Sequence, residues 1–202
     1  MKALLRLLLA FLLLTQCSSL SAQIEAGQII TLENGLNVFV RPMRAAPVVS
    51  INFWVKVGSV NEEPGEEGYA HLLERLIFRG SMRYPGAALE NEIKMTGSRH
   101  SSFTANDYTS ISMTGASVYL EKMIELLTDA VFNSALEAGA LETETRSVIE
   151  EINGSVKNPN NRVVQLLMEE AFKVHPYRHP IIGYQKNLEN ITREKLAGFY
   201  KR

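Results

Sequence analysis

The stretch Gly68-Tyr-Ala-His-Leu-Leu-Glu-Arg-Leu-Ile-Phe78 constrains this chain more than any other. Read at helical period, Tyr69, Leu72, Leu73, Leu76 and Ile77 form an apolar stripe at i, i+3, i+4, i+7 and i+8, which has to be buried against a core. His71, Glu74 and Arg75 fall on the opposite side, three and four residues apart and therefore neighbours on the helix surface. A histidine and a carboxylate held together above a buried stripe are two parts of a metal-and-base site. The arginine beside them speaks against one.

Residues 1–22 are expected to be a secretory signal peptide and the fold to occupy 23–202. Lys2 and Arg6 make a basic n-region, Leu7 to Leu14 is unbroken apolar sequence, and Ser18-Ser19-Leu20-Ser21-Ala22 offers small residues for cleavage after Ala22. The apolar run is too short for the ~30 Å of a bilayer's hydrocarbon core. Cys17, the only cysteine, follows Leu14-Thr15-Gln16; this is a weak lipoprotein-like signal, because Gln16 stands where a small residue is wanted. With cleavage at Ala22 the mature chain has no cysteine, so it is exported, to the periplasm or the exterior, and needs no disulfide. Hydrophobic residues make up 46% and charged residues 21%, the balance of an ordinary globular domain and not of a disordered one. Loss of the two cations Lys2 and Arg6 moves the formal charge from -1 to -3, so nothing in the charge balance favours nucleic acid or an anionic membrane.

The remaining pattern places strands first and helices later. Ile29 to Leu32 and Leu36 to Arg41 flank Glu33-Asn34-Gly35 and predict a hairpin. Val48 to Val57 alternates as a third strand, and Arg99 to Thr104 and Thr109 to Gly115 supply two more. Helices are expected over Ala87 to Thr96, over Val118 to Phe132 with Ser117 as cap, over Leu141 to Val156 and over Val163 to Phe172, with Thr192 capping a last one. Strands and helices without regular β-α-β alternation indicate an α+β fold, a mostly antiparallel sheet covered by helices.

A second candidate is Glu144-Thr-Arg-Ser-Val-Ile-Glu-Glu151. Glu144 and Glu151, seven apart, lie two turns along one helix face. Such a run commonly does no more than face water, and a lone H-x-x-E pair is equally compatible with a partly buried, hydrogen-bonded histidine.

Together the two stretches resemble the inverted-motif zinc metallopeptidases that include pitrilysin, insulysin and the mitochondrial processing peptidase. That family carries H-x-x-E-H on one helix, then a distant glutamate ligand with a second glutamate two turns before it. G-S-V-N-E-E-P-G-E-E-G-Y-A-H-L-L-E, L-I-F-R-G-S, S-F-T-A-N-D-Y-T and H-P-Y-R-H-P-I-I-G-Y carry the likeness from about Ile29 to the end. It implies that His71 and Glu151 are zinc ligands, Glu74 the general base and Glu144 a supporting carboxylate. It also implies Ser101, Phe103 and Arg178 as substrate contacts, a peptide or unfolded polypeptide as substrate, and a second domain or subunit of the family as partner. The family's N-terminal domain continues into a further strand, so this one is expected to be incomplete at its C-terminus.

The family's second histidine ligand falls on Arg75. A guanidinium has no lone pair to donate and is always charged. At an effective dielectric of ~20, two unit charges ~4 Å apart repel by roughly 4 kcal/mol. Zinc is therefore expected to bind weakly or not at all, and the domain to serve as a peptide-binding or partner subunit. The alternative is an active zinc metalloendopeptidase that tolerates Arg75. With zinc absent, Arg75 is expected to pair with the clustered carboxylates in its place.

Overall fold

Along residues 48–55 alternate side chains turn inward, as the hydrophobic alternation of that strand predicts. A computed structural model describes residues 26–202; the expected signal peptide lies outside the described residues. The chain divides into two units, Met1–Ala46 and Pro47–Arg202. In the first, β1 (Gln28–Thr31) and β2 (Asn37–Val40) form an antiparallel hairpin with Gln28 opposite Val40 and Thr31 opposite Asn37. The Asn34 side chain closes its turn by accepting from the Leu36 amide at 3.1 Å.

In the second unit, β3 (Val48–Val55), β4 (Arg99–Thr104) and β5 (Thr109–Ala116) make an antiparallel sheet in the order β3-β5-β4. The α+β architecture expected from the sequence is the one observed. Helix α1 (Tyr69–Leu76) runs beside β4, followed by α2 (Ala87–Met95), α3 (Leu120–Phe132), α4 (Ala138–Lys157), α5 (Pro159–Ala171), the short α6 (Gln185–Leu188) and α7 (Arg193–Lys201). Ile111 and Met113 of β5 point inward to α3, whose Met123, Leu126, Leu127 and Ala130 are fully buried. A second cluster joins Tyr69, Leu72 and Leu76 of α1 to Val148 and Ile152 of α4 and to Leu196 and Phe199 of α7. The α1 stripe is thus buried, and its continuation Ile77–Phe78 enters the sheet cluster. This leaves α1 clamped between the sheet and α4, with its polar side turned to the gap between β4 and α4.

Several helix starts differ from the sequence reading. α5 begins at Pro159, because Asn158 caps it through Oδ1 to the Asn160 amide (3.0 Å) and proline is well suited to the first helical position. Ser117 does not cap α3; it opens a 3-10 turn, Ser117–Tyr119, that tightens the entry instead. Thr192 does cap α7, accepting from the Lys195 amide at 3.3 Å.

Candidate functional site

The polar face of α1 meets two neighbours, β4 on one side and α4 on the other. Strand parity decides what β4 presents. Ser102 pairs across the sheet with the inward-facing Ile111, so Ser102 and Thr104 share the side of the sheet that faces α1, while Ser101 and Phe103 project from the other. The Ser102 hydroxyl donates to Glu74 Oε1 at 2.6 Å and the Thr104 hydroxyl to Glu74 Oε2 at 3.2 Å. His71 Nδ1 stands 3.5 Å from Glu74 Oε2. Burial pushes the Glu74 carboxyl up, but the His71 ring and the two hydroxyls outweigh it and hold the group below the ordinary carboxylate range.

Against α4 the arrangement is ionic. Arg75 Nε donates to Glu144 Oε2 at 2.7 Å, Nη1 to Glu151 Oε2 at 3.3 Å and Nη2 to the Ser147 hydroxyl at 3.0 Å. Arg79, one turn further, reaches the other oxygen of Glu144 at 2.6 Å. Glu144 is 3% exposed and so lies buried between two guanidinium groups. His71 Nε2 is 3.9 Å from Glu151 Oε2 and is buried without a hydrogen-bond partner. A cavity of about 300 Å³ opens among Glu74, Arg75, Arg79, Glu144 and the stacked rings of Phe78 and His100, whose centroids are 4.0 Å apart. Burial holds His100 below the ordinary imidazole range.

A catalytic zinc needs three protein donors and an open position. The orphaned His71 nitrogen and Glu151 supply two, and the third direction is filled by a cation that already hydrogen-bonds Glu151. Among the described residues, no three His, Cys, Asp or Glu side chains are grouped so as to hold a metal ion. The residues present do not fit zinc.

Of the residues expected at the site, His71, Glu74, Arg75, Glu144 and Glu151 come together. The side chains of Ser101 and Phe103 do not: Phe103 packs on the outer face of the sheet with Trp54 (6.5 Å) and Tyr108 (5.7 Å). Arg178 donates to the Lys173 carbonyl at 2.7 Å, within its own loop. Residues not anticipated are Ser102, Thr104, Arg79 and Ser147. Each had a signal in spacing: Arg79 lies four residues after Arg75, Ser147 lies between Glu144 and Glu151, and Ser102 and Thr104 differ from Ser101 and Phe103 only in strand parity.

The model of the insulinase family, peptidase family M16, matches residues 38–185. The chain belongs to that family. This M16 domain is 29% identical over 175 residues to cytochrome b-c1 complex subunit 1, mitochondrial, of Caenorhabditis elegans, covering 87% of the chain and 37% of the relative. It is 30% identical over 175 residues to an uncharacterized zinc protease of Rickettsia bellii, covering 87% and 42%. The crystal structure of a protease from Helicobacter pylori superposes with a TM-score of 0.81 at 26% identity, over 87% of this chain and 42% of that one. The chain therefore spans about two fifths of the length of these relatives.

Proposed function

We propose that this M16 domain is an exported peptide-binding or partner subunit that does not cleave peptides by itself, with Arg75 in the place of a zinc-ligand histidine. The observation that carries this reading is the set of three bonds made by one guanidinium, to Glu144, Glu151 and Ser147. Without a metal's charge the buried Glu144 would face the half-exposed Glu151 along the helix with no cation between them. Arg75 supplies a positive charge with a planar fork suited to carboxylates. Zinc binding at this site is weak or absent.

The domain's ligand is a peptide or unfolded polypeptide, and its partner a second subunit or domain of the same family. The two relatives support both sides of this assignment, since one is named as a subunit of a complex and the other as a zinc protease. A second reading, an active zinc metalloendopeptidase with His71 and Glu151 as ligands and Glu74 as base, is favoured by the intact support of Glu74 from Ser102 and Thr104.

Hydrolysis and binding of an unfolded fluorogenic peptide, measured with zinc added, separate the two. The proposed function requires binding without hydrolysis. Turnover by the unmodified protein that is abolished by a chelator and by Glu74→Gln would establish the second reading instead.

A further inference from the structure

Helix α1 is short, and its amino end lacks the side chain that commonly holds one. The preceding residue, Gly68, sits at φ 106° in the left-handed region and offers no acceptor to the first-turn amides. No side chain fits there, since a Cβ would come within 2.8 Å of the Ile182 carbonyl oxygen. Glu62, in the loop before the helix, provides the acceptors. Its Oε2 takes the Gly68 amide at 3.1 Å and its Oε1 the Ala70 amide at 2.8 Å. The loop is fastened at two more points. The Tyr69 amide donates to the Glu66 carbonyl at 2.8 Å, and the Glu67 carboxyl takes the Gly65 amide at 2.8 Å and the Asn187 side chain at 2.6 Å.

We infer that Glu62 is the positioning residue of this site: it fixes where α1 begins along its axis, and through α1 where His71, Glu74 and Arg75 stand. The inference rests on the polar face of α1 being the functional one. Burial of the apolar stripe is a non-directional force, whereas two amide-to-carboxyl bonds of defined length and angle mark a point along the axis. Arg75 shows why that point matters. Its three bonds to α4 span 2.7 to 3.3 Å, so an axial slip of one residue, ~1.5 Å, would break them.

The carboxyl occupies an unusual electrostatic position. Burial pushes Glu62 up to about 8; the Ala70 and Gly68 amides pull the other way, and the neighbouring Glu67 and Glu66 add to the rise. Both neighbours have partners of their own. Glu66 pairs with Arg202 at 2.5 Å, and Glu67 has, besides its hydrogen bonds, His179 at 4.0 Å. The helix amino end faces Glu62 with its partial positive charge.

The test is amide and arginine-side-chain NMR of the full chain as a function of pH. In the unmodified protein the Gly68 and Ala70 amide signals should shift together with one carboxyl titration, and the Arg75 Nε–H signal should be protected by Glu144. In Glu62→Gln, which keeps one acceptor oxygen, the shared titration should vanish and Arg75 Nε–H protection should fall. In Glu62→Ala that protection should be lost. The inference is overturned if the two amides titrate the same way in Glu62→Gln, or if Arg75 Nε–H stays protected in both variants. Should Glu62→Ala fail to fold, Glu62→Gln decides alone. None of these signals depends on peptide binding, so this inference and the proposed function can fail separately.

Discussion

Glu74 and Glu144 are the same residue type, on adjacent helices, and both are buried, at 7% and 3% exposed. Their surroundings differ in kind. Glu74 receives two hydroxyl donors from β4 and touches a histidine, so it remains an acceptor held by groups that are neutral or weakly basic. Glu144 is gripped by Arg75 and Arg79, one on each oxygen. One side of α1 keeps a carboxylate held ionised by hydroxyl donors and a histidine; the other holds a buried ion pair. The two arginines separate the outcomes: Arg79 holds one oxygen of Glu144, and Arg75 holds the other and also reaches Glu151.

The largest test of this contrast is Arg75→Ala. It leaves Glu144 buried with only Arg79 and frees Glu151, and we expect a loss of about 3–4 kcal/mol in denaturant unfolding, the lower part of the range for breaking one partner of a buried pair, because Arg79 stays. A neutral or stabilising result would mean that Glu144 needs no guanidinium, and the contrast would collapse.

Glu62, a third buried glutamate held by backbone amides, extends the comparison through pH. Its folded value of about 8 lies above the ordinary 4.5, so its contribution is fully present below about pH 4.5 and is lost as pH rises through about 8. Thermal unfolding should show a decline of about 1–3 kcal/mol across that window beyond what Glu62→Gln shows. A variant with the same slope would remove Glu62 from the account.

Ser102→Ala removes one neutral donor from Glu74 and should cost about 1 kcal/mol. If it costs as much as Arg75→Ala, the hydroxyl side is as much a structural lock as the ionic side. Arg178→Ala, which frees one exposed carbonyl contact, should change stability by less than about 0.5 kcal/mol. A peptide affinity unchanged in that variant would keep Arg178 outside the binding surface.

The helix that carries the site was legible because its apolar stripe and its three polar residues obey one period. The meeting of α1 with α4 was legible only through the resemblance to a family, since nothing local in Glu144–Glu151 says which helix it faces. Strand parity was the harder matter. Arg99 to Thr104 has no apolar alternation to anchor it: its inward side carries His100, Ser102 and Thr104, all polar, because Ser102 and Thr104 meet Glu74 on the polar face of α1 while His100 stacks on Phe78 just beyond that helix. Phe103, the apolar residue, lies outward on Trp54 and Tyr108. Nothing in the apolar pattern of this strand therefore corrects the pair that the resemblance implied, Ser101 and Phe103. Glu62 was unreadable for a related reason. An acidic loop of Glu62, Glu63, Glu66 and Glu67 looks solvated throughout, and only the fold shows that the first of these turns in to hold the helix.

The most direct test of the central claim is the metal content of the purified protein beside Arg75→His, both exposed to zinc and then freed of excess. A guanidinium in the metal's place predicts no stoichiometric zinc in the unmodified protein and stoichiometric zinc in the variant, where His71, the new histidine and Glu151 would complete a three-donor set. Stoichiometric zinc in the unmodified protein would contradict it.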